Sequence, residues 1–183
     1  MPRTTASVRA VTGEIVFVKG ATRRYRSVLH RADGVEVELD GGAYNRVGGP
    51  AREVPHDIAH LIVEDELGLD RGVWGVLAAG GLFRGASILA GRRRPHAARH
   101  AREILAASVE QLNQAEVLVR VACDLSLVDR PDPHAARAAG GDRWWTDAVT
   151  ADALRACFTR LRDAGAAWAA LSPGDHLTGR WPR

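Results

Sequence analysis

Cysteine is nearly missing from this chain. The two present, Cys123 and Cys157, stand far apart and make no Cys-x-x-Cys pair, which excludes both a disulfide framework and a cysteine-ligated zinc knuckle. Free thiols suit a reducing compartment, and residues 1–10 lack the roughly 7–15-residue apolar core of a secretory signal, so a cytoplasmic protein is expected. No uninterrupted apolar run reaches the ~18 residues of a membrane span. Lysine is scarcer still: of 25 Lys and Arg residues, only Lys19 is not arginine. Aromatic residues make up 5% of the chain and are not interleaved with the arginine clusters Arg23-Arg24-Tyr25-Arg26 and Arg92-Arg93-Arg94. Guanidinium forks bind phosphate well, but a net charge of +3 without a nucleic-acid motif does not predict DNA or RNA as a partner. The Gly-x-Ser-x-Gly elbow of a serine hydrolase is absent. The glycine-rich stretch 41–50 lacks the Gly-Lys-Ser/Thr ending of a phosphate loop and reads as a linker or a loop bordering a site.

The chain's 183 residues suffice for one domain with a core of its own, and the pattern predicts an α+β fold. Residues 1–42 read as mainly β. Glu14-Ile15-Val16-Phe17-Val18 is strand-like, and segments 24–30 and 35–39 flank Ala32-Asp33-Gly34, a hairpin turn signal. Val35, Val37 and Leu39 alternate with Glu36, Glu38 and Asp40, so one face of this small antiparallel sheet is expected to pack on helices. Residues 53–170 read as mainly α. A first helix should open at Val54-Pro55 and stop at Gly68. Residues 73–83 suit a helix buried on every side, 96–122 a long helix after Pro95, and Thr150 or Asp152 caps one running to Ala170. Residues 129–145, rich in proline, glycine, alanine and arginine, read as a flexible loop or lid. Within 171–183, Leu177-Thr178-Gly179-Arg180-Trp181 can return as a strand.

The chemistry concentrates in the first helix, as His56-Asp57-Ile58-Ala59-His60 followed by Glu64. At about 100° per residue these two imidazoles and two carboxylates share roughly one third of the helix circumference, with apolar residues over most of the rest. Histidines four apart can grip one ion. The expected set is therefore His56, His60, Glu64 and Glu116 as metal ligands for a divalent cation, zinc first, with Asp57 and Glu64 available for proton transfer or for orienting a ligand imidazole. A solvated stripe and a metal-free acid/base site are the alternatives. Glu116 joins the set because helical phase places it among Leu112, Val109, Val119 and Cys123, where a carboxylate needs either the histidines or an arginine such as Arg120 or Arg155. His96 and His100 repeat the spacing, but their phase faces solvent. His30 falls on a strand, His134 in the suspected loop and His176 in a turn, while Cys123 and Cys157 lie in helical patterns as inert core thiols.

The segment from Val54 to Glu64, continuing through Gly72-Val73-Trp74-Gly75, resembles a family of uncharacterised bacterial proteins. His56-Asp57-x-x-His60 also resembles the core motif of zinc-binding ubiquinone-biosynthesis proteins. In those proteins a glutamate stands where this chain has Gly72, while here Glu64 comes earlier. The resemblance implies a metal-binding role for His56, Asp57 and His60. It is not the His-Glu-x-x-His of zinc proteases, since Asp57 replaces the catalytic glutamate. Two functions follow as expectations: a metal-dependent hydrolase, lyase or isomerase acting on a small polar substrate, or a non-catalytic interaction module that uses the Trp144-Trp145 segment or the arginine clusters.

Overall fold

Ile15 and Phe17, two residues apart on one strand face, are both buried, and Phe17 meets Trp74 edge-on with ring centroids 5.7 Å apart. A computed structural model of the chain describes residues 13–92 and 95–182. Strands β1 (Gly13–Lys19), β2 (Tyr25–His30) and β3 (Glu36–Gly41) form a meander. The two-strand ribbon of β4 (Tyr44–Arg46) and β5 (Glu53–Pro55) follows, then helices α1 (His56–Leu67) and α2 (Val73–Ala79) and strand β6 (Ala86–Ala90). Helices α3 (Ala97–Leu127), α4 (Pro133–Gly140) and α5 (Ala151–Ala170) precede the last strand, β7 (His176–Trp181). The main sheet is antiparallel in the order β6-β3-β2-β1-β7, giving the α+β architecture expected.

The hairpin of β2 and β3, the helix stop at Gly68 and the returning strand β7 agree with the sequence pattern. Gly68 takes φ 66°, a left-handed cap that an L side chain disfavours. Val35 and Val37 are buried as the alternation requires. Helix α1 lies at the centre, against α2, α3, α5 and β7, and every residue from Ile58 to Glu64 is buried. A helix buried along this stretch keeps no solvated stripe there, so His60 and Glu64 must find partners inside the protein.

Five expectations are corrected. The β structure does not end near residue 40, because β4, β5 and β6 follow; short strands with little alternation carry almost no periodic signal. Residues 129–145 are not an irregular loop but contain α4 and a 3-10 turn at Asp142–Trp144. Asp132 caps α4 by accepting from His134 and Ala135 amides, and Pro133 holds the first helical position. The helix in 73–83 is shorter, ending at Ala79, and the long helix runs on to Leu127. On that helix the buried seam runs through Ala101, Ser108, Ala115 and Ala122, where small side chains admit close approach of neighbouring helices, and Val109 is left 51% exposed. Glu116 therefore sits on the rim of the helix interface rather than at its apolar centre.

Among the described residues no helix is long and apolar enough to cross a membrane. Arg23, Arg24 and Arg26 pair with Glu53, Asp40 and Glu38, which accounts for that cluster as surface ion pairing. Arg92 is exposed, and Arg93 and Arg94 lie outside the described residues.

Candidate metal centre

His56 opens α1 directly after Pro55, and His60 follows one turn later, so both rings project toward α3 where Glu116 waits. His56 Nε2 and His60 Nε2 lie 3.1 Å apart. Glu116 Oε2 is 3.4 Å from the first and 3.6 Å from the second. These three residues form a group able to hold a metal ion. His60 is 1% exposed, His56 30% and Glu116 56%, so the group is walled on one side and open on the other. It opens into a groove of about 590 Å³ whose lining includes Tyr44, Arg46, His56, Glu116 and Asp124.

The opposite nitrogens of both rings are committed. His60 Nδ1 donates to Glu64 Oε1 at 2.8 Å, and His56 Nδ1 lies 2.7 Å from Asn45 Oδ1. Glu64, fully buried, also accepts from the Val73 amide at 2.7 Å and the Trp74 amide at 3.1 Å. An ionised carboxylate only accepts, so the proton of the His60–Glu64 bond belongs to Nδ1 and its Nε2 carries a lone pair. The same holds for His56 opposite the Asn45 carbonyl oxygen. Asn45 is itself oriented by donating its Nδ2 to Cys123 Sγ at 3.3 Å. Three lone-pair atoms consequently face one another, an arrangement that calls for a cation, either a proton or a metal.

With a proton there, burial pulls the His60 ring down, but the hydrogen bonds and charges of Glu116 and Glu64 outweigh it and hold the pKa at about 9. Hydrogen bonds from His56 and His60 hold the Glu116 carboxyl far below the usual carboxylate range despite partial burial.

The structure thus brings His56, His60 and Glu116 together and gives the other two residues different surroundings. Glu64 does not join the three converging atoms: it sits behind the His60 ring, its oxygens taken by three N–H donors. Asp57 turns to the sheet, accepting from Tyr25 Oη at 3.1 Å and Ser27 Oγ at 2.6 Å. Burial and the neighbouring Asp57 charge push the Tyr25 phenol up, which keeps it a neutral donor. Glu116 meets the histidines rather than an arginine; Arg120 pairs with Asp124, and Arg155 with Asp152. His96 and His100 are exposed. His30 pairs with Glu36, while His134 lies in α4 and His176 starts β7. Cys123 and Cys157 are free and buried, their thiols pushed up by burial to about 11 and about 12. Trp144 and Trp145 are half-buried beneath Arg143 and Arg137, consistent with anchoring that segment.

Two residues of the site escaped the sequence reading. Asn45 lies in the glycine-rich stretch 41–50, whose composition signals a loop and not a ligand-orienting residue. Gly72 lets Glu64 reach the start of α2, since a Cβ there would collide with the Glu64 carboxylate. Compared with known family models, curated proteins and solved structures, the chain matches none.

Proposed function

We propose that the protein is a metal-dependent enzyme, a hydrolase, lyase or isomerase acting on a small polar substrate, with a divalent cation held by His56, His60 and Glu116. The observation that carries this reading is the convergence of three lone-pair atoms whose ring partners are already fixed. Zinc ligands at about 2.0–2.2 Å from the ion stand about 3.3–3.6 Å from one another in a tetrahedron. Separations of 3.1, 3.4 and 3.6 Å fit that spacing with little adjustment, which favours zinc. Two imidazoles and one carboxylate with an open fourth position are the donor set of a catalytic site rather than a closed structural one.

Such a metal supplies an acidified water or polarises a carbonyl. The chain's own residues set the rest. Glu64 orients His60 and raises its basicity, Asn45 does the same for His56 with a neutral acceptor, and the groove admits substrate on the Glu116 side. In this reading Glu64 is a positioning residue and Asp57 locks the start of α1 to the sheet. The free thiols agree with a cytoplasmic setting.

Elemental analysis of untagged protein tests the proposal. About one equivalent of metal is expected, lost in His60→Gln and Glu116→Gln proteins that keep the wild-type circular dichroism. A protein that takes up no zinc, manganese or iron on reconstitution would overturn it.

A further inference from the structure

A second cavity, of about 510 Å³, lies away from the histidine cluster between the β2–β3 turn, the end of α2 and the start of α3. Its size is that of a small-molecule pocket. Its lining combines cationic residues, Arg31, Arg92 and Arg99 beside His96 and His100, with apolar ones, Val35, Leu82 and Ile88 among them.

Arg31 is the least exposed of these arginines. Its side chain is 14% exposed and donates Nη2 to Asp33 Oδ2 at 2.7 Å. It lies against the end of α2, where a Cβ on Gly80 would stand 3.2 Å from Nη2. Its Nε is the one buried side-chain nitrogen or oxygen among the described residues with no hydrogen-bond partner. That nitrogen is covered, so a ligand in the cavity meets Arg31 through its other atoms, and an oxyanion is the group that pairs best with the guanidinium charge.

The acidic residues of the cavity leave part of its positive charge unmatched. Asp33 is spent on Arg31 Nη2 and the Val35 amide, and Glu103 on Arg99 at 3.6 Å and His100 at 3.9 Å. Matching Asp33 with Arg31 and Glu103 with Arg99 leaves Arg92 as an excess charge. We propose that this cavity is a binding site for a small organic anion, its carboxylate or phosphate held by the lining arginines and its apolar body laid against Val35, Leu82 and Ile88. The site stands independently of the metal reading.

Octanoate, 1-octanol and inorganic phosphate, titrated separately into the full-length protein and followed by amide NMR shifts, test it. Octanoate is expected to shift Val35 and Ile88, with octanol and phosphate each binding roughly tenfold more weakly because each lacks one of the two features. Arg31→Met is expected to weaken octanoate by roughly tenfold or more. Exposed Arg99→Gln, which leaves the buried guanidinium in place, should weaken it less while keeping the fold, and His60→Gln should not change it. Octanol binding as tightly as octanoate, phosphate doing the same, shifts insensitive to both arginine variants, or no shift at these residues would overturn the proposal.

Discussion

His60 Nδ1 donates to Glu64 Oε1 across one turn of α1 at 2.8 Å, and this bond decides which nitrogen of His60 faces the cleft. Glu64 is held in turn by the first amides of α2, where the helix dipole favours a negative charge. The orientation of a metal-facing ring is thus transmitted from a second helix through a buried carboxylate.

Glu64→Gln keeps the shape of the side chain but replaces one accepting oxygen with a donor facing N–H groups. We expect a stability loss of about 1.5–3 kcal/mol and a metal affinity lower by roughly 10–100-fold. Urea unfolding and competitive zinc titration measure the two effects. Unchanged affinity would remove Glu64 from any part in the metal centre.

Gly72→Ala places a methyl group against the Glu64 carboxylate. A loss of about 1–3 kcal/mol is expected from overpacking, with weaker metal binding as Glu64 shifts. Gly42→Ala, whose added Cβ meets nothing within 4 Å, is the control. Equal behaviour of the two variants would show that Gly72 has no special relation to Glu64.

The metal-free protein should lose stability as pH rises. His60 has a folded pKa of about 9 against an ordinary 6.5, so the folded state holds this proton more tightly than the unfolded one. Its contribution is complete below about 6.5 and is lost as pH climbs through about 9. Calorimetry in chelator should therefore show Tm falling between pH 7 and 10, a slope that His60→Gln flattens. Saturating zinc should remove that fall, because the metal takes the proton's place.

Asp57→Ala and Asn45→Ala separate structure from site. Asp57 bonds Tyr25 and Ser27, so its loss should cost about 1–3 kcal/mol with metal affinity nearly unchanged. Asn45→Ala should leave stability close to wild type and weaken metal binding by roughly 10–100-fold through His56. The reverse pattern, in isothermal titration and denaturant melts, would return Asp57 to the chemistry.

Helical spacing alone made His56 and His60 legible as a pair, because a four-residue interval stacks two side chains whatever the helix packs against. The hairpin turn at Asp33-Gly34 and the stop at Gly68 were equally local, decided by turn and cap chemistry within a few residues. Helix α4 was local as well, in the Asp132-Pro133 cap, yet its proline and glycine neighbours masked it. Periodicity gives an angle around one helix and says nothing of what stands opposite. Four polar residues within one third of a turn therefore went to three places: His56 and His60 to the cleft, Glu64 to the start of α2, and Asp57 to the sheet. Asn45 and Glu116 reach the histidines from a short ribbon and a distant helix. Only tertiary packing set those meetings, since burying α1 from Ile58 to Glu64 forced the polar groups of that stretch to find partners inside the protein.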